Sequence, residues 1–336
     1  MSSFPYLTLF ISTLVLGSMM SISSSNWLMV WIGLELNLLS FVPLLTISKS
    51  NQENEASMKY FLSQALGSGL ILSGALNLYF STQTVIPSSL SNCLIILGLL
   101  VKLGLPPCHF WFPSVMSSIS WPMCFMLSTW QKIVPLFLII YSFMSSMNPA
   151  FLLLILSSSA ISSLGGINQT LIKSILAYSS IGHMAWMIGG SMNSFSSAIS
   201  YFAIYSLITL SIMAAFYFWS SSSIMSLLSS KLMTPLLGLT LILSLLSLGG
   251  VPPFLGFFPK WLVIQNITCI SLLPVFILLI SSMINLYYYL NILFITLIAM
   301  NKPILFSSFK LVGPYPLILM SASMTLFLAP LILLSL

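Results

Sequence analysis

The sequence contains no arginine and no aspartate. Its only acids are Glu35, Glu53 and Glu55, set against nine lysines, and charged residues make up 4% of the chain. A soluble domain carries about a quarter charged residues, so a soluble enzyme and a charged disordered chain are both excluded. The cysteines, Cys93, Cys108, Cys124 and Cys269, are too sparse for a disulfide scaffold. None lies two residues from another, so they read as small apolar residues in helices. A Walker A loop, a dinucleotide glycine fingerprint and a zinc pattern are absent, so no nucleotide, redox or metal site is expected on this chain. The net charge of +6 is spread over lysines that never cluster, which is no nucleic-acid signal.

What fills the chain is apolar: 58% of residues are hydrophobic. A bilayer core of ~30 Å needs about 20 helical residues. The apolar runs give about eleven spans, near residues 4–22, 26–47, 58–80, 92–116, 121–144, 149–167, 172–191, 195–219, 234–266, 272–298 and 313–334. They are continuously apolar, unlike barrel strands, which alternate every second residue. The fold class is therefore an all-α polytopic membrane protein. The first run has no basic flank and is long enough to span, so it reads as a membrane helix rather than a cleavable leader. So apolar a chain without a presequence points to synthesis inside its own compartment.

The lysines sort by side. Lys49, Lys59, Lys173, Lys231, Lys302 and Lys310 all fall in loops or span ends on the side of the N-terminus. Basic residues near span ends stay on the synthesis side, which places the N-terminus inside and the C-terminus outside.

Glu35, Lys102, Lys132, His183 and Lys260 fall within spans instead. A charge at the bilayer centre costs ~2.5–3.5 kcal/mol on insertion scales, so such groups face a bundle interior and find partners. One glutamate cannot pair with three lysines. At least two lysines need water, an outside acid or loss of a proton, and a lysine that releases a proton inside a membrane is a proton-carrying site. A buried pair that only fixes packing is the plainer alternative.

Two of the spans carry paired prolines: Lys102-Leu103-Gly104-Leu105-Pro106-Pro107 continuing to Pro113, and Gly249-Gly250-Val251-Pro252-Pro253 continuing to Lys260. Adjacent prolines remove two amide donors and clash with the preceding turn, so both helices are expected to break within the membrane. The motifs lie in the fourth and ninth spans, which run in opposite directions. That predicts two inverted five-helix repeats plus one extra helix, divided as 1–145, 146–300 and 301–336. Lys102 precedes its break, near carbonyl ends that favour a cation. Lys260 follows its break, near amide ends that oppose one. Lys260 also lies toward the outer face and is expected to be the exit site.

These residues resemble a known family. Trp31 to Asn37, Lys102 to Trp111, Trp130 to Pro135, Gly165 to Thr170, Ala177 to Met184 and Gly249 to Trp261 look like the mitochondrial NADH–ubiquinone oxidoreductase chain 2 family, in order from about residue 26 to 290. The resemblance implies a proton-translocating membrane subunit of respiratory complex I in the mitochondrial inner membrane. It implies that Glu35 pairs with Lys102, and that Lys132 and Lys260 continue the proton path; His183, with hydroxyls such as Ser128 and Ser179, is expected to bridge the gaps between them. Partners are the other membrane and peripheral subunits and the phospholipid bilayer, with no nucleic acid. NADH, FMN, iron–sulfur clusters and ubiquinone are expected on the partner subunits. Two rivals remain at this point: a free-standing cation antiporter and an inert structural subunit.

Overall fold

The computed structural model describes residues 4–47, 50–80, 88–143, 149–192, 194–219, 223–229, 235–269 and 271–300. Lys49, Lys231, Lys302, Lys310 and the expected eleventh span at 313–334 lie outside the described residues. Among the described residues every regular element is a helix, with one isolated bridge between Leu171 and Ser223. Among the described residues, six helical stretches are long and apolar enough to cross a membrane. The chain divides into two compact units, Met1–Ser146 and Met147–Leu336.

The first unit holds α1 (Phe4–Ser23), α2 (Trp27–Leu45), α3 (Asn51–Tyr79), α4 (Ser88–Leu103), α5 (Trp111–Ser118), α6 (Trp121–Ser128) and α7 (Trp130–Phe143). Glycine seams bring its helices together. A Cβ on Gly33 of α2 would lie 2.7 Å from the Gly17 carbonyl of α1. A Cβ on Gly98 of α4 would lie 2.6 Å from the Gly67 carbonyl of α3. In lipid there is no hydrophobic drive between helices, so close van der Waals approach over small residues takes its place. Helix α3 starts seven residues before the span read from hydropathy. Ser50 caps it by accepting from the Glu53 amide at 3.2 Å, and Glu55 pairs with Lys59 at 2.8 Å. This is the Ser-x-x-Glu start signal, and it carries the polar first turns that hydropathy leaves out.

The second unit holds α8 (Pro149–Ile167), α9 (Ile172–Ser191), α10 (Phe195–Trp219), α11 (Ile224–Ser229), α12 (Pro235–Gly249), α13 (Phe257–Thr268) and α14 (Leu273–Met300). Its centre is α9, which packs against α8, α10, α13 and α14. Every residue of α9 except Lys173 and Tyr178 is buried. Serines throughout return their hydroxyls to carbonyls of their own helix, as Ser179 does to Leu176 at 2.9 Å. That satisfies polar groups where lipid offers no partner. The short helix α11 falls in what the sequence reads as a loop.

The fourth and ninth apolar runs are each interrupted, over Gly104–Phe110 and Gly250–Gly256. The two stretches align without a gap from Gly104 and Gly250 to Ser114 and Lys260. Each opens on a glycine in the left-handed region, Gly104 at φ +68° and Gly250 at φ +80°. An L side chain is strained there, so glycine turns the chain out of the helix before the prolines prevent its return. A third irregularity appears where one continuous span was expected. Helix α6 ends at Ser128 and α7 begins at Trp130, around Thr129 at φ −116° and ψ −72°. Pro135 has no amide for the Gln131 carbonyl four residues back, which loosens the turn that carries Lys132.

The Gly98→Ala variant pushes α4 away from α3. It is expected to lose about 1–3 kcal/mol of stability. The check is the thermal aggregation midpoint of the detergent-solubilised protein, which falls if the seam holds the helices and stays unchanged if it does not.

Candidate functional site

The first unit places Glu35, Lys102 and Lys132 on three different helices, α2, α4 and α7. Glu35 is half-buried, whereas Lys102 and Lys132 are buried. Lys102 sits in the last turn of α4, and its side chain runs along α3 beside Gly67. The Glu35 carboxylate acts on it through space. Among the described residues no hydrogen bond or contact ion pair reaches the Lys102 amine. The carbonyls freed at the end of α4 are capped by neutral donors instead. The Trp111 indole donates to the Val101 carbonyl at 3.0 Å, and Gln64 donates to the Lys102 carbonyl at 3.3 Å.

Lys132 is 2% exposed, and its amine lies 4.4 Å from the centroid of the Phe112 ring. A desolvated ammonium over an aromatic face is stabilised by the ring quadrupole. Phe112 belongs to α5, so the half-helix after the break presents a face to the lysine of the next span. Around it runs a neutral network that the sequence reading did not single out. Gln131 donates to Asn37 of α2 at 3.1 Å and accepts from Tyr60 of α3 at 3.4 Å. Tyr60 packs edge-on against Phe41 and Trp111 at 5.3 and 5.8 Å. Carboxamides in apolar spans were the available signal: Asn37, Gln64 and Gln131 all join helices.

The second unit places His183 at the middle of α9 and Lys260 in the first turns of α13. His183 Nδ1 lies 3.0 Å from the Tyr201 hydroxyl, and its ring lies 5.0 Å from that of Tyr205. The Lys260 amine donates to the Gly249 carbonyl at 2.7 Å, and it lies 5.9 Å from the Trp186 ring of α9. This corrects the electrostatic reading of Lys260. Its backbone stands at the amide end of α13, as expected, but its side chain reaches back across the break. The ammonium therefore sits at the carbonyl end of α12, where a cation is favoured. Ser114 occupies the matching position in the first break, and Leu248 occupies the position that matches Lys102. The lysine is thus on opposite sides of the two breaks in sequence, yet on the carbonyl side of the second in space.

No group of three or more His, Cys, Asp or Glu is placed to hold a metal ion among the described residues. The site's chemistry is that of protonation: buried amines, a carboxylate, an imidazole and hydroxyls. Gly250 forms the seat of Lys260, since a Cβ there would lie 2.7 Å from its Nζ and 2.9 Å from its Cδ. Gly250→Ala is expected to displace the amine and strain the left-handed turn together. The detergent-solubilised protein is expected to lose about 1–3 kcal/mol of stability. An unchanged thermal aggregation midpoint contradicts that seat.

Comparison with known proteins follows the same residues. A family described as "NADH:quinone oxidoreductase/Mrp antiporter, TM" matches residues 24–285, which include Glu35, Lys102, Lys132, His183, Lys260 and both breaks. The NADH-ubiquinone oxidoreductase chain 2 of Anopheles gambiae is 44% identical over 84% of this chain and 84% of its own. That of Squalus acanthias is 37% identical over 97% of this chain and 96% of its own. A chain of respiratory complex I from Thermus thermophilus shares the fold at TM-score 0.85 and 26% identity, over 98% of this chain and 79% of that one. The chain belongs to the NADH-ubiquinone oxidoreductase chain 2 family, within the larger group of complex I and Mrp antiporter membrane subunits.

Proposed function

We infer that this chain is a proton-translocating membrane subunit of NADH–ubiquinone oxidoreductase, respiratory complex I. The observation that carries the reading is the family match from residue 24 to 285, which spans every buried charge singled out above. The chain is a multi-pass membrane protein of the mitochondrial enzyme, and its partners are the other complex I subunits and the bilayer. The redox chemistry lies with those partners: NADH, FMN, iron–sulfur clusters and ubiquinone belong to them, and this chain contributes proton movement.

The path runs from Glu35 and Lys102 to Lys132, and continues in the second unit with His183 and Lys260. The Lys102 amine, without a hydrogen-bond partner and under the pull of the Glu35 charge, is suited to a mobile proton. When Glu35 moves away, Lys102 yields its proton toward Lys132; when Glu35 returns, Lys102 takes up another. The Phe112 face stabilises a charged Lys132. The Gly249 carbonyl gives Lys260 a neutral resting place near the end of the line.

The finer architecture is part of the same proposal. About eleven spans form two inverted five-helix repeats and one further helix, over 1–145, 146–300 and 301–336. The gapless likeness of the two breaks, each opening on a left-handed glycine, supports the repeat. The one-sided placing of Lys49, Lys59, Lys173, Lys231, Lys302 and Lys310 supports an N-terminus in the matrix and a C-terminus in the intermembrane space.

The test is Lys132→Met in the assembled enzyme, in vesicles that acidify on NADH oxidation. Assembly at the normal level with NADH-driven proton transfer abolished is the expected result. Full pumping by the assembled variant overturns the reading. Sodium or potassium exchange for protons by the purified chain alone in liposomes would favour a free-standing antiporter.

A further inference from the structure

The second unit carries a hydroxyl cluster that the proton path above does not use. Tyr201 and Tyr205 project from successive turns of α10, and Tyr288 and Tyr289 from α14. All four are buried, and Tyr201, Tyr205 and Tyr289 lie within electrostatic reach of one another. The Tyr205 hydroxyl faces Ser180, one turn from His183 on α9. Tyr201 bonds His183 itself at 3.0 Å. The Asn285 amide borders Gly182, where an added Cβ would lie 2.9 Å from its Nδ2. Imidazole, phenols and carboxamide thus converge from three helices on one stretch of α9.

Three polar atoms in this cluster have no hydrogen-bond partner: the hydroxyls of Tyr288 and Tyr289 and Oδ1 of Asn285. The Tyr289 hydroxyl faces Ser179 and the Tyr288 hydroxyl, but neither geometry is that of a bond. Tyr288 and Tyr289 are each 2% exposed and Asn285 is 7% exposed. Leaving a polar group unpaired in the interior is costly, and buried polar groups are otherwise almost always satisfied by protein or ordered water. A merely structural cluster would have been cheaper as phenylalanine and leucine. Beyond it lies a cleft lined by Leu176, Ser179, Tyr205 and Thr209, closed to water in this conformation. The cleft lies on the Ile172 side of His183 along α9, so the hydroxyls lead from the imidazole toward that end of the helix.

We propose that Tyr201 is a catalytic residue that passes protons to and from His183, and that Tyr288, Tyr289 and Asn285 bind the water that continues this branch toward the Ile172 end of α9. The inference rests on the proton-path reading and deepens it. When protonated His183 releases the proton on Nδ1, the Tyr201 oxygen takes it while its own hydroxyl proton passes to the neighbouring water. Imidazole becomes neutral, Tyr201 is unchanged and the water is left as hydronium. The reverse sequence loads His183. The closed cleft is the dry end of the branch, and it conducts only when the Leu176 and Thr209 walls part.

The test uses the assembled enzyme in coupled vesicles. Tyr201→Phe keeps the ring and removes the relay, and is expected to slow NADH-driven proton transfer roughly tenfold or more. The Tyr288→Phe and Tyr289→Phe double variant removes two hydroxyls that have no protein partner. A structural role predicts unchanged or improved stability and unchanged pumping for it. The proposal predicts unchanged or improved stability with pumping slowed roughly tenfold. Tyr217→Phe, on the exposed face of α10, is the control and leaves pumping unaltered. A map of the assembled wild-type enzyme that resolves water is expected to place one within hydrogen-bond distance of the Tyr289 hydroxyl. Normal pumping by the double variant, or no water at that hydroxyl, overturns the branch. If Lys132→Met abolishes pumping while the double variant pumps normally, only the branch falls. If Lys132→Met pumps normally, the underlying reading falls with it.

Discussion

An ammonium group in hydrocarbon needs something to replace water, and this chain offers almost no acids to do so. On insertion scales three buried lysines cost roughly 8–10 kcal/mol together. That is comparable to the whole stability of an ordinary domain, about 5–15 kcal/mol. Three different devices meet the cost. The Lys260 amine takes a backbone carbonyl at the end of a broken helix. Lys132 takes an aromatic face. Lys102 has only the field of Glu35 and the carbonyl end of α4. The helix breaks are what make two of these devices possible, because an unbroken helix would consume the carbonyls and leave Phe112 elsewhere on the helix.

The two breaks share a sequence pattern and a left-handed opening glycine, but they treat their carbonyls differently. At the first, Trp111 and Gln64 cap the carbonyls with neutral donors, so the Lys102 amine is not tied down. At the second, the lysine is itself the cap. The Lys260 amine is therefore held by a backbone carbonyl, while the Lys102 amine is not. Gly250 and Gly104 matter for the same reason, since each places its break within reach of an aromatic or amine side chain.

Much of this was legible in the sequence, and the exceptions have physical causes. Both breaks were readable because proline pairs act on the turn in which they sit. The interruption at Thr129 was not, because no proline or glycine marks that position. The polar start of α3 was readable as Ser50-x-x-Glu53 but was masked by a hydropathy window. Glu35, Lys102, Lys132, His183 and Lys260 stood out because almost every other charge is missing. The position of the Lys260 amine did not, since a flexible side chain reaches over eleven residues of chain to Gly249, and sequence spacing fixes only its backbone. Tyr201 and Tyr289 were hidden for a third reason: in spans rich in aromatics, a phenol that bonds a histidine looks like one that merely packs.

The central claim is that Glu35 sets the charge of Lys102 and so drives the path. The most direct measurement is the number of protons moved per NADH oxidised by the assembled Glu35→Gln enzyme, in vesicles with the subunit present at its normal level. The account predicts fewer protons per NADH, or stalled oxidation that an uncoupler does not restore. A Glu35→Gln enzyme with wild-type stoichiometry and rate would contradict it and leave Glu35 as a packing residue.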